Sequence, residues 1–245
     1  MRLAWIVVAF SMLAAAAPAV PDPTVDRIVN DYIAARGGLA KIRSVQSLRQ
    51  RGHAFADAGR EAIVLRELKR PGKTRFEFTV QGVTGVYVVD GAKGWQVSPF
   101  DGDMKPEPMA EQAVTEAMEQ PDIEGPLVDW KAKGHRVELA GHETVGGRDT
   151  FKLKLVLKSG AVRYEYIDTK THYELRTDST RLIRGRDVPF VTTFGDHKKS
   201  DGVLFPRTLE MSTEGRPGRL RVVVDSVEVN PSLGDDRFRR PKSLD

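Results

Sequence analysis

The sequence predicts an α+β fold in which one large, curled antiparallel sheet is covered by a few helices. Three observations carry that expectation. The hydrophobic period is helical near the N-terminus and changes to two after residue 45. The alternating runs are joined by short turn-forming stretches such as "DGAKG", "KSG", "DTKTH" and "KSDG". No strand-helix-strand alternation of the kind that builds a parallel sheet occurs.

In chain order, Val25, Ile28, Val29, Tyr32 and Ile33 recur at helical spacing between Thr24, a capping residue, and Gly37-Gly38, a stop. "LAKIRSV" adds a shorter helix with Leu39, Ile42 and Val45 on one side. In "TRFEFTV", Phe76, Phe78 and Val80 face one way, and Arg75, Glu77 and Thr79 the other. "FKLKLVLK" sets Phe151, Leu153, Leu155 and Leu157 against Lys152 and Lys154. "REAIVLRELKR", "VRYEYID", "HYELRTDSTRL", "FVTTFGD", "VLFPRTLEMST" and "RLRVVVDSVEV" read alike, each with one dry and one wet face. The total is roughly 10 to 12 strands, a width at which sheets curl or close. "KPEPMAEQAVTEAMEQP" interrupts the sheet as a weakly apolar helix with Ala110, Ala113, Val114, Ala117 and Met118 on one stripe. "IEGPLVDWKAKG" reads as a second helical patch carrying Ile123, Leu127 and Trp130.

Composition bounds the function. The 245 residues, 40% hydrophobic and 29% charged, suit one mature domain. Lys and Arg total 38 against 34 Asp and Glu, and the basic residues are scattered apart from "RFRRPK" and "LKRPGK", so no basic stripe for nucleic acid is present. "MR", the apolar run "LAWIVVAFSMLAAAA" and the small-x-small site Ala17-Pro18-Ala19 read as a signal peptide, residues 1–19, ahead of a single domain at 20–245. No later stretch approaches a membrane span, so an integral membrane protein is not expected. An exported chain with 0 cysteines has no disulfides, thiol nucleophile or lipidated cysteine, which points to a periplasmic location.

No catalytic constellation is visible. His53, His135, His142, His172 and His197 are dispersed without ligand spacing, so neither a metal nor another cofactor is expected. "GHETVGGRD" is a hairpin loop rather than a phosphate loop. What remains is a wide sheet whose apolar face the helices cover only in part, leaving room for an apolar ligand. Met104, Met109 and Met118 cluster around the middle helix, where flexible thioethers adapt to varied chains.

"LKRPGKTRFEF" followed by "VVDGAKGWQVSPF" resembles the LolA-like superfamily of periplasmic lipoprotein carriers, through Lys69, Arg70, Pro71, Asp90, Gly91, Trp95, Pro99 and Phe100. "GRDTFKLKL", "YIDTKTHYELR", "KKSDGVLFPRTLEM" and "VEVNPSLGDDRFRRP" resemble the wider outer-membrane lipoprotein-sorting group. The resemblance implies an incomplete β-barrel of about 11 strands closed by helices, whose cavity takes the acyl chains of lipoproteins or lipids under a helical lid. It implies that Arg70 holds the lid shut by bonding helix backbone, and that inner- and outer-membrane sorting components are partners. Thr74 stands where the carriers have an aromatic, and Phe76 where they have tryptophan. The candidate cavity and lid residues are therefore Arg70, Phe76, Phe78, Trp95, Met109, Val114, Met118 and Trp130. The expected function is periplasmic acyl-chain carriage without catalysis. The alternatives are an envelope sensor that binds a protein, or a cofactor-free enzyme using the same cavity.

Overall fold

The computed structural model describes residues 23–99, 103–111, 113–114, 123–183, 186–213 and 218–241. The expected signal peptide and Met118 lie outside the described residues.

Helix α1 (Val25–Ala35) starts where Thr24, in extended conformation, accepts the Arg27 amide at 3.3 Å. It buries Ile28, Val29 and Tyr32, the stripe its spacing predicts. Gly37 ends it with φ of 114°, and a Cβ there would collide with the carbonyl of Gly202. A short helix α2 (Leu39–Ser44) follows and buries Ile42.

The strands are β1 (Ser47–Phe55), β2 (Glu61–Lys69), β3 (Lys73–Val80), β4 (Val83–Asp90), β5 (Lys93–Ser98), β6 (Asp103–Pro108), β7 (Arg136–Val145) and β8 (Arg148–Val156). They continue with β9 (Val162–Asp168), β10 (Glu174–Ile183), β11 (Arg186–Gly195), β12 (Lys198–Ser200), β13 (Val203–Phe205), β14 (Thr208–Thr213) and β15 (Arg219–Val229). Among the described residues 13 of them form one sheet in the order β6-β5-β4-β3-β2-β1-β15-β14-β11-β10-β9-β8-β7. Neighbours pair antiparallel throughout. β12 and β13 form a separate hairpin, tied to α1 by the Leu204 amide on the Arg36 carbonyl at 3.0 Å.

Because cross-strand partners share a face, the register sorts the side chains. One face carries Leu48, Leu68, Phe76, Phe78, Tyr87, Leu153 and Leu155, and both helices pack on it. Two clusters form there. Ile28, Val29 and Tyr32 pack with Leu127, Phe151, Leu153 and Ile167. Ile42 and Val45 pack with Leu48, Leu68, Val128, Val203 and Phe205. Ile33 of α1 packs against both. On the opposite face Val86 and Val88 are covered by Leu233 and Phe238, the latter in the short 3₁₀ helix Asp235–Phe238.

Four expectations need correction. The strands number 13 in the main sheet rather than about 11, because polar β1 and proline-bearing β6 also pair. "KPEP" is not a helix start: it lies in β6, an edge strand, where proline's missing N–H costs no ladder bond. Met104 is therefore a strand residue, and helical backbone begins at Glu111. "IEGPLVDWKAKG" forms successive turns rather than a helix, broken by positive φ at Gly125 (79°), Asp129 (53°) and Gly134 (76°). The face away from the helices is also not simply wet, since Glu67 on it is fully buried between Arg49 and Arg237.

Candidate functional site

The helix-bearing face of β3–β5 holds an aromatic plate. Phe76 and Phe78 stack with centroids 6.1 Å apart and 21° between planes, and Phe78 and Tyr87 at 5.6 Å and 16°. The rings lie down because Gly85, the cross-strand partner of Phe78, has no side chain: a Cβ there would run into the Phe78 ring. Phe76, Phe78 and Tyr87 are all half-buried, so the plate keeps apolar area exposed to whatever lies over it.

Beside the plate, Gly94 seats the chain that follows β6. The Met109 amide donates to the Gly94 carbonyl at 2.9 Å. A Cβ on Gly94 would come within 2.6 Å of Val114 Cγ2 and 2.9 Å of Met109 Sδ. Val114 is buried there, and its amide bonds the Ala110 carbonyl at 3.0 Å as a helical turn begins. Phe76, Phe78, Met109 and Val114 are thus on one face of β3–β5.

Trp95 is not among them. It pairs with Val88, on the face covered by Leu233 and Phe238, and the Arg240 guanidinium sits 4.9 Å over its ring. The sheet separates it from Phe76 and Phe78. Trp130 packs in the α1 cluster, with Lys131 Nζ 4.9 Å over its ring.

Arg70 has partners other than the lid backbone that the resemblance implied. Its Nε donates to the Val45 carbonyl at the end of α2 at 2.8 Å, and its Nη2 to Glu124 Oε1 at 2.7 Å. Arg36 donates to the Glu124 carbonyl and to the Tyr32 hydroxyl at 3.1 Å, while Lys133 Nζ lies 3.5 Å from Glu124 Oε2. Two arginines therefore fasten the 123–134 turns to both helices, while Lys133 ties the turns to themselves.

A group that the residue pattern did not reveal lies under α1. The Glu165 and Glu174 carboxylates meet on the helix-bearing face, and the Thr177 hydroxyl is 3.0 Å from the first and 2.6 Å from the second. Arg163 Nε donates to Glu165 at 2.6 Å. Burial raises the Glu174 carboxyl well above the usual range, and the adjacent Glu165 raises it further. Burial acts the same way on Glu165, but Arg163 and the bonds from Glu174 and Thr177 outweigh it and hold Glu165 ionised. Burial also raises the Tyr32 hydroxyl, against the Arg36 charge, and both carboxylates add to the rise. Among the described residues no group of acidic, histidine or cysteine side chains could hold a metal ion.

This architecture, a wide antiparallel sheet with helices on one face, is the LolA-like fold. A DUF1329 family protein from Desulfovibrio piger superposes with a TM-score of 0.61 at 12% identity, covering 89% of this chain and 98% of that one. An outer membrane lipoprotein-sorting protein domain from Vibrio parahaemolyticus gives 0.58 at 13% identity, over 88% and 95%. A LolA superfamily protein from Nitrosomonas europaea gives 0.56 at 11% identity, over 89% and 99%. No family model and no curated protein sequence matches the chain.

Proposed function

We propose that this protein is a periplasmic carrier, exported by cleavage after Ala19, that holds the acyl chains of lipoproteins or lipids on the helix-bearing face beneath the Met109–Val114 segment. The observation that carries the reading is the half-exposed aromatic plate of Phe76, Phe78 and Tyr87 beside that segment. A curled sheet is supported by Ile33, which packs against two clusters, one containing Leu68 of β2 and the other Ile167 of β9. In a flat sheet six strand spacings of about 4.8 Å would hold those strands about 29 Å apart. No helix among the described residues is long and apolar enough to cross a membrane. Similar folds in lipoprotein-sorting proteins add support of the same kind.

The enzymatic alternative draws on the Glu165–Glu174 pair. Both carboxylates are engaged by Thr177 or Arg163, and they lie on β9 and β10, apart from the aromatic plate on β3 and β4.

The test is uptake of a fluorescent acyl probe, together with native mass spectrometry of protein purified from membranes. Saturable uptake that weakens at least tenfold in Phe78→Asp, and lipid or lipoprotein adducts, are the expected results. A folded protein that takes up no probe and carries no adduct would overturn the reading.

A further inference from the structure

One oxygen contact under α1 counts protons. The Thr177 hydroxyl has a single hydrogen, yet its oxygen is within bonding distance of two carboxyl groups, 3.0 Å from Glu165 and 2.6 Å from Glu174. It can donate to only one of them, so three oxygens this close need a second hydrogen, which a carboxyl must carry. Glu165 is matched by Arg163 at 2.6 Å, which leaves Glu174 to carry that hydrogen.

The pair sits where α1 meets the sheet. Glu165 is opposite Leu153, and Leu153 and Ile167 pack against Tyr32 of α1. Among the described residues, the charged and titratable groups that act around Glu174 include Tyr32 of α1, Arg36 at its C-cap, and Arg163 and Glu165 of β9. His197, between β11 and β12, bonds the Glu174 backbone and is held below its usual value by burial. Arg36 is committed to Tyr32 and to the Ile123 and Glu124 carbonyls. Ionised Glu174, half-buried beside the fully buried Glu165, would therefore leave two adjacent carboxylates facing one guanidinium.

We propose that α1 is docked by a proton: with Glu174 protonated the acid pair closes beneath Tyr32, and loss of that proton loosens the helix from the β8–β9 face. The switch does not depend on the carrier reading. Burial, assisted by Glu165, lifts the Glu174 carboxyl in the docked state, whereas an opened α1 returns it toward the ordinary value of about 4.3. The docked state therefore binds more protons, and docking weakens as pH rises, by up to tenfold per pH unit until the docked carboxyl itself ionises.

Hydrogen exchange of the α1 amides from about pH 5 to about pH 9, expressed as protection relative to the intrinsic rate, tests this, with Glu174→Gln as the permanently neutral form. Protection of residues 25–35 is expected to fall with pH in the native protein and to stay level in the variant, while β1 amides stay protected in both. Trp130, packed in the α1 cluster, should show the same contrast in its fluorescence. Identical pH courses for α1 in the two proteins, or β1 losing protection in step with α1, would overturn the proposal.

Discussion

Gly94 lies directly beneath Val114: a Cβ on the glycine would be 2.6 Å from Val114 Cγ2, and the Gly94 carbonyl takes the Met109 amide at 2.9 Å. Replacing Gly94 by valine forces side chain into filled space, which costs about 1–3 kcal/mol. That strain falls on the Met109–Val114 segment, whose Met109 and Val114 side chains sit directly over Gly94. Gly94→Val should therefore leave the sheet folded while a Glu-specific protease cuts after Glu111 several-fold faster. An unchanged cutting rate in a folded variant would show that the segment is not seated on Gly94.

Arg70 joins the end of α2 to the 123–134 turns through the Val45 carbonyl and the Glu124 carboxylate. Glu124 is largely buried and Arg70 partly so, with side-chain exposures of 10% and 28%. A charge-assisted bond of this kind contributes about 1.5–3 kcal/mol. At about 2–4 °C per kcal/mol in a chain of this size, Arg70→Met should lower Tm by about 3–12 °C. Combined with Glu124→Gln, the double-mutant cycle should give a coupling above about 0.5 kcal/mol. Strict additivity would mean that the pair is incidental.

Which parts of the fold are legible in the sequence follows from where cover is placed. α1 is found where the pattern puts it because one face turns to a core, and β3 and the hairpin around Gly91 are also found at their expected places, although every residue of β3 is half-buried and β4 is buried on both faces. β1, "SLRQRGHAF", hides its strand character because Arg49 and Glu67 make a buried ion pair where an apolar pair would have announced itself. In "VRYEYID" the aromatic positions suggest the core side, yet it is Arg163, Glu165 and Ile167 that face α1, while Tyr166 is buried on the other face under Lys152 and Arg176. A sheet covered on both faces gives no periodic clue to which side the helices take. Trp95 misleads for the same reason: residues 230–241 supply its cover, and only long-range register reveals that. The acid pair was hidden too, since Glu165 and Glu174 are brought together by the β9–β10 pairing and its bulge.

Asp168, almost fully buried at the β9–β10 turn, sets part of the acid stability. Burial pushes its carboxyl up, but the amide and hydroxyl of Thr171, the Lys170 amide and Arg148 outweigh that and hold it below the usual aspartate value. A depressed carboxyl stabilises the fold above its unfolded value of about 3.9, and the contribution is lost as pH falls through the lowered native value. Asp168→Asn should therefore melt several degrees below the native protein at pH about 7, with the gap narrowing below pH about 4. Parallel curves of Tm against pH would remove Asp168 from the account.

Phe238 is completely buried against Val86 and Val88, and next to it Arg237 reaches Glu67 at 2.5 Å. This segment covers the face that holds Trp95, so its loss should act on the sheet from the side away from the aromatic plate. Phe238→Ala removes a large side chain from a closed site, a change that costs about 3–5 kcal/mol. The expected fall in Tm is about 6–20 °C, with Trp95 emission shifted to the red as Arg240 and its segment loosen. Under conditions where the variant is still folded, acyl-probe uptake should match the native protein, because Phe76, Phe78 and Tyr87 lie across the sheet. Equal loss of probe binding and of the C-terminal cover would instead place the ligand on the Trp95 face. Denaturant melts followed by tryptophan emission, run beside probe titrations on the same samples, distinguish the two.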